Sequence, residues 1–563
     1  VRGYQGTDLA ATDTILATAK HFAAYGAAQA GRDYHTVDIT ERTLRDVYLP
    51  PFKAAVDAGV ASFMTAFNEV DGIPASGSKY LLTDVLRSKW GFDGFVVTDY
   101  TSINEMVPHG YAKDLEQAGE QAANSGVDMD LQGAVFLEHL GKSVQDGRVS
   151  EDTVNKAVRR ILEMKYRLGL FEDPYRYADE AREKATLYKP EFLDAARDVA
   201  RKSMVLLKNE GGALPFAASS KNIAVIGPLG NSKPDMIGSW AAGGDRQTRP
   251  VTVLEGMKAR AKAGTTISYA KGASYEFNDE GKTDGFAEAL ALAKKSDVVV
   301  AVMGEKWDMT GEAASRTSLD LPGNQQALLE QLVATGKPVV LVLMSGRPNS
   351  IEWAHENVPA ILHAWYPGTS GGHAVADVLF GDYNPSGKLP VTFPRTVGQV
   401  PIHYDMKNTG RPIELGAKDA KYVSRYLNTP NTPLYRFGHG LSYTTFAYSP
   451  VTLSASSMGA GGSITASATI TNTGSRAGEE VAQLYVRDLV GSVTRPVQEL
   501  KGFEKIALAP GESRRVTFTI RPEDVAFTRA DMSHGWEPGQ YRLWIAPSSG
   551  PDASTPVEFR ITD

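Results

Sequence analysis

Short apolar runs alternate with amphipathic helices through the first 170 residues, and this alternation restricts the fold more than any other feature of the chain. The runs at 18–22 (TAKHF), 61–67 (ASFMTAF), 94–99 (GFVVTD) and 126–131 (GVDMDL) read as strands. Helical periodicity covers 41–58, 78–90, 113–125 and 151–168, with Gly169 and Pro174 as stop signals. Strands separated by helices imply a parallel sheet, either open or closed into a barrel. Each strand ends on polar or charged residues: Lys20-His21, Asn68-Glu69, Asp99 and Asp130. The carboxyl ends of strands are where parallel α/β folds place their chemistry, and a complete (β/α)8 barrel takes about 250 residues. With four units visible, residues 1–174 are expected to be the C-terminal half of such a barrel.

Residues 175–220 read as a charged, helix-bearing connector. Continuous apolar runs follow at 222–227, 297–304, 338–344 and 360–366, as expected of strands buried on both faces, so 221–394 is predicted to be an α/β sandwich domain. Residues 395–449 read as a loop-rich linker. From 450 the pattern becomes all-β, with alternating runs at 463–471, 480–487, 513–520 and 541–547 separated by turns, which predicts a seven-stranded sandwich over 450–563.

Composition removes several classes of function. The 59 Lys and Arg against 66 Asp and Glu give a formal charge of −7 spread along the chain, which argues against a nucleic-acid surface. No run of 18 apolar residues is present to span a membrane. There is no cysteine, so disulfides and thiol catalysis are excluded. Gly227-Pro228-Leu229-Gly230 lacks the dinucleotide fingerprint, and Gly368-Thr369-Ser370-Gly371-Gly372 lacks the Lys-Ser/Thr of a phosphate loop. No His/Asp cluster has metal-ligand spacing, and no cofactor is implied. Val1-Arg2-Gly3-Tyr4 is no signal peptide, and the lack of an initiating Met suggests sequence upstream.

Three segments could carry chemistry. Asp99 follows a β-branched strand directly, where its carboxylate could attack an anomeric carbon or cap the next helix. The stretch 304–322, with Glu305, Trp307, Glu312 and Arg316, is longer than a connection needs and could present a second carboxylate, or be a solvated acidic loop. Lys20 and His21 at a strand end could hold sugar hydroxyls by charge-assisted hydrogen bonds, or His21 could be structural. Asp128 and Asp130 could help close a pocket, although a structural role suits them better.

Taken in order, KHFAAYG (20–26), FVVTDYTSI (95–103), AGEQAANSGVDMDL (118–131), VLLKNEGGALP (205–215), GEKWDMTGEAASRTSLDLP (304–322), FGDYNPSGKLPVTFPR (380–395), PLYRFGHGLSYTTF (433–446) and RPVQELKGFEKIALAPGES (495–513) resemble glycoside hydrolase family 3, particularly its bacterial periplasmic β-glucosidases. The resemblance implies a barrel, an α/β sandwich and a C-terminal fibronectin type III-like domain. It also implies a retaining exo-β-glucosidase that releases glucose by double displacement, in a periplasmic or secreted protein that is a monomer or homodimer. By motif position Asp99 matches the nucleophile and Glu312 the acid/base, with Glu305 as fallback. Lys20 and His21 match donors to the nonreducing-end sugar, Met64 and Tyr100 would line its pocket, Trp307 would stack beneath the aglycone, and Arg316 is a further candidate for substrate binding. Retaining enzymes set their two carboxyls about 5–5.5 Å apart, one attacking and one protonating the leaving oxygen. Flanking donors such as Lys20 are then expected to hold the pKa of Asp99 low. The acidic residue and Arg with which the family clamps the outer sugar hydroxyls would fall upstream of residue 1.

Within the family, an N-acetylglucosaminidase is disfavoured because the line reads KHFAAYG where that branch shows KHFPGHG. β-Xylosidase, glucan exohydrolase and plant-glycoside-specific activities stay open, since one CH₂OH more or less discriminates weakly. A non-catalytic glycan-binding protein is the alternative from a different class. The fibronectin-like domain is expected to buttress the other domains rather than bind carbohydrate.

Overall fold

The computed structural model describes residues 1–563 other than 242–244, 414–420 and 551–553. The chain divides into two compact units, Val1–Leu187 and Tyr188–Asp563.

In the first unit, β1 (Thr18–Phe22), β2 (Ser62–Thr65) and β3 (Phe95–Val97) form a parallel sheet in that order. Helices follow each strand, as the periodicity predicts: Pro50–Asp57 and the wider-wound Tyr80–Lys89, then Leu115–Ser125, capped by the Asp114 carboxylate, and Glu151–Arg167, capped by the Ser150 hydroxyl. A helix at Val135–Gln145 escaped the sequence reading. The fourth predicted strand, 126–131, shrinks to a single bridge between Val97 and Met129. Side chains replace the ladder there: Asp128 Oδ2 accepts the Val96 amide at 2.8 Å, and Thr98 Oγ1 accepts the Leu131 amide at 2.9 Å. Asp128 is buried between Arg87 and Arg160, so its role is structural, while Asp130 Oδ2 accepts the first amides of the Val135 helix. Phe22, Phe63, Phe92, Val96 and Ile103 are among the side chains that pack the core beneath the sheet.

The second unit is built on a six-stranded sheet of β4 (Val205–Asn209), β5 (Asn222–Ile226), β6 (Thr266–Ala270), β7 (Val298–Gly304), β8 (Val339–Met344) and β9 (Ala360–His363). Its order is β4-β9-β8-β7-β5-β6, with only β4 antiparallel. Every residue of β7, β8 and β9 is buried, because helices cover both faces. The expected connector 175–220 therefore needs correction, since it supplies an edge strand of this sheet.

The all-β part pairs a sheet of four strands with one of five, the longest being Ile464–Asn472, Gly478–Asp488, Glu499–Leu508, Ser513–Ile520 and Gly539–Ala546. Residues 395–449, expected to be a linker, instead strap the α/β sheet to this sandwich; 414–420 lie outside the described residues. Leu441 bridges to Leu206 and Lys407 to Pro496, while Gln483 Nε2 donates to the carbonyls of Gly438 and Pro547. Lys388 pairs with Glu480 at 3.1 Å, and the Tyr383 and Ser386 hydroxyls reach Glu479 at 3.0 Å.

His363, at the end of β9, is fully buried against Trp365 and Phe393, and neither ring nitrogen meets a hydrogen-bond partner among the described residues. Burial pushes its pKa down to about 3, from 6.5. The unfolded chain binds a proton that the folded chain refuses, so stability should fall as pH drops from 6.5 toward 3. His363→Leu is expected to flatten that slope in urea titrations taken across this range.

Candidate active site

β1 carries one residue more than β2 between the pairs Ala19–Phe63 and Phe22–Thr65, so Lys20 and His21 sit in a bulge. Bulges re-aim side chains, and this one turns His21 toward the end of β3. There His21 Nε2 lies 3.1 Å from Asp99 Oδ2, too far off line to make a hydrogen bond. Asp99 Oδ1 accepts the Tyr100 amide at 2.8 Å. Oδ2 is buried and has no aligned donor among the described residues. Burial pushes the Asp99 pKa up, but the His21 contact, the Tyr100 amide and the charges of His21 and Lys20 outweigh it and hold the carboxyl below the ordinary aspartate value.

The turn after Asp99 is locked by buried hydroxyls, with Ser76 Oγ 2.7 Å from both Thr65 Oγ1 and Ser102 Oγ. Lys20 and Tyr100 are exposed, and Met64 is half-buried on the neighbouring strand. The first unit thus gathers Lys20, His21 and Tyr100 around Asp99.

In the second unit β7 ends at Gly304, where a Cβ would fall 1.8 Å from the Met344 carbonyl oxygen and φ is +142°. The loop 305–322 begins at that close approach, and the Gln325 amide ties its two ends together through Gly304 and Pro322. Trp307 is half-buried; Asp235 accepts its amide at 2.6 Å, and the Arg246 guanidinium lies 4.3 Å from its ring centroid. Glu312 is exposed at the loop's outer turn.

Two candidates from this loop require correction. Glu305 is fully buried and accepts from Arg316, Arg347, Thr310 and Ser345. A general acid/base must exchange its proton with substrate and water, and a carboxylate enclosed by two guanidiniums and two hydroxyls is a structural anion. Arg316 spends its guanidinium on Glu305 and the Asp320 carbonyl, with its side chain 8% exposed, which leaves it unsuited to holding substrate.

Residues 1–164 match the N-terminal domain of glycosyl hydrolase family 3, 204–443 match its C-terminal domain, and 480–549 match a fibronectin type III-like domain. A periplasmic β-glucosidase of Salmonella typhimurium is 44% identical over 98% of this chain and 74% of its own length. This chain belongs to glycosyl hydrolase family 3. A β-xylosidase of Formosa agariphila is 40% identical over 100% of the family 3 chain and 78% of its own. A crystallised β-glucosidase of Listeria innocua, solved as a mutant with laminaribiose, superposes with a TM-score of 0.95 at 37% identity, covering 100% of this chain and 76% of that one. The family 3 chain is therefore a glycoside hydrolase, with the α/β multidomain architecture and fibronectin type III-like domain expected from its motifs.

The sequence reading missed two residues that this family 3 structure draws into the argument. Glu105, six residues past Asp99 in a short 3-10 turn, is half-buried, and burial together with the Asp99 charge pushes its carboxyl above the ordinary glutamate value. Its signal was only its spacing from Asp99. Arg347, after β8, reaches Glu305 from the adjacent strand end, a pairing visible only once the sheet order is known. Among the described residues no group of three or more His, Asp or Glu could hold a metal ion, and no helix is long and apolar enough to cross a membrane.

If His21 helps to hold Asp99 ionised, His21→Ala should raise the pKa of that carboxyl. The acid limb of kcat/KM for an aryl β-glucoside is then expected to move to higher pH, measured against the unsubstituted enzyme.

Proposed function

We propose that this protein is a retaining exo-β-glucosidase that releases glucose from the nonreducing end of β-glucosides. The observation that carries the reading is Asp99, a buried carboxylate held low in pKa, with one oxygen that has no aligned donor among the described residues. That is the state a nucleophile needs: ionised, desolvated and with a lone pair available. In the first step Asp99 bonds to the anomeric carbon, the glycosidic C–O bond breaks, and Glu312 gives its proton to the departing oxygen. In the second, Glu312 takes a proton from water, the water oxygen bonds to the anomeric carbon, and Asp99 leaves as carboxylate. Two inversions give net retention. Lys20 and His21 donate to sugar hydroxyls, Met64 and Tyr100 line the sugar pocket, and Trp307 stacks beneath the aglycone.

The names of the Salmonella and Listeria relatives support glucose, and the periplasmic relative supports a periplasmic or secreted location. The xylosidase relative keeps a pentose as the competing sugar.

A second reading of the acid/base rests on Glu105. Its raised pKa beside a depressed aspartate is the divergence that separates acid from nucleophile in a carboxylate pair. The two readings part on azide rescue. Glu312→Ala is expected to lose about 10²–10⁴-fold in kcat/KM on alkyl glucosides but little in kcat/KM on dinitrophenyl glucoside, where the slowed second step lowers kcat instead, and to yield β-glucosyl azide. The same pattern in Glu105→Ala, with Glu312→Ala near normal, would transfer the role to Glu105. NMR of the first-formed product should show β-glucose; α-glucose would end the retaining mechanism.

A further inference from the structure

Glu312 is exposed, yet the turn that carries it is fastened at both ends by one side chain. Arg347 Nη2 donates to the carbonyl of Met309 and, at 2.7 Å, to that of Ala314, so a single nitrogen closes the span in which Glu312 lies. The same guanidinium uses Nε on Glu305 Oε2 at 3.1 Å and on Thr310 Oγ1 at 3.4 Å. Ser345 Oγ accepts the Arg347 amide at 3.1 Å and donates to Glu305 Oε2 at 3.0 Å, which fixes the base of the arginine. The turn itself cannot relax freely: at Gly311, with φ +137°, a Cβ would fall 2.2 Å from Ser239 Oγ, and that hydroxyl donates to the Thr310 carbonyl at 2.6 Å.

We propose that Arg347 is a positioning residue for acid/base catalysis, clasping the 309–314 turn so that the Glu312 carboxyl is presented in one place. The proposal rests on the reading of Glu312 as the acid/base. Its logic is geometric. A planar guanidinium bonds a buried carboxylate through Nε and two carbonyls through Nη2 in fixed relation to each other, whereas an ammonium presents a single point of donation. Arg347→Lys therefore preserves the charge facing Glu305 and opens the clasp.

The test compares Arg347→Lys with Glu312→Ala in the intact enzyme, on cellobiose and on 2,4-dinitrophenyl β-glucoside. Cellobiose needs its leaving oxygen protonated, whereas dinitrophenolate departs unaided. Arg347→Lys is expected to lower kcat/KM for cellobiose by about 10–100-fold, because small misplacements of a catalytic group carry losses of that order. It should change kcat/KM for the dinitrophenyl glucoside by less than about threefold, since that constant reports the first step, in which acid assistance is not used. An equal loss on both substrates would reduce Arg347 to a structural residue and overturn the proposal, as would no loss on either. If Glu312→Ala itself shows no selectivity for the poor leaving group, the reading of Glu312 fails first, and the clasp loses its catalytic meaning with it. Should Arg347→Lys not fold, Thr310→Val removes the hydroxyl between Glu305 and Arg347. It is expected to show the same substrate selectivity at smaller size, and its absence would overturn the clasp.

Discussion

A carboxylate taken out of water must either take up a proton or be surrounded by donors, and Asp99 is held between those outcomes. Burial alone would raise its pKa; an amide, an imidazole and a lysine charge reverse the sign. The local architecture follows from this balance. The strand β3 delivers the carboxylate to the edge of the core, the bulge in β1 swings His21 toward it, and the Thr65–Ser76–Ser102 hydroxyls hold the turn that supplies the Tyr100 amide. Oδ1 is stabilised by hydrogen bonding, while Oδ2 receives charge without a directed bond. The two oxygens of one carboxylate thus serve different ends.

The second unit solves the same problem in the opposite sense. Glu305 is buried completely and every oxygen is occupied, which makes it an anchor. Breaking such a buried set by removing one partner costs about 3–5 kcal/mol, because the remaining charge is stranded. The anchor stands where β7 and β8 end side by side, so the rigidity of a fully buried parallel sheet passes into a loop that would otherwise be free. Exposed Glu312 and half-buried Trp307 ride on that loop.

Much of the architecture was legible in the chain because the signals were local. Continuous apolar runs marked β5, β7, β8 and β9, and helical periodicity marked the helices that Asp114 and Ser150 cap in the structure. Short or shared elements were not. β4 hid inside a segment that read as a connector because its pairing partner, β9, lies some 150 residues away and no local pattern reveals it. The apolar run 126–131 looked like a strand, but side-chain acceptors from Asp128 and Thr98 displaced its ladder. At the site, motif position picked out Asp99, Lys20 and His21, which the fold gathers. It ranked Glu312 ahead of Glu305 without showing that the two differ in burial, and it could not foresee Arg347, which enters from another strand.

The most direct test of the account is covalent trapping of the intact enzyme with an activated 2-deoxy-2-fluoro-β-glucoside, followed by peptide mass spectrometry. The account predicts a stable fluoroglucosyl ester on the peptide that contains Asp99, with activity lost in step with labelling. Label on any other carboxylate, or inactivation without label on Asp99, would contradict it.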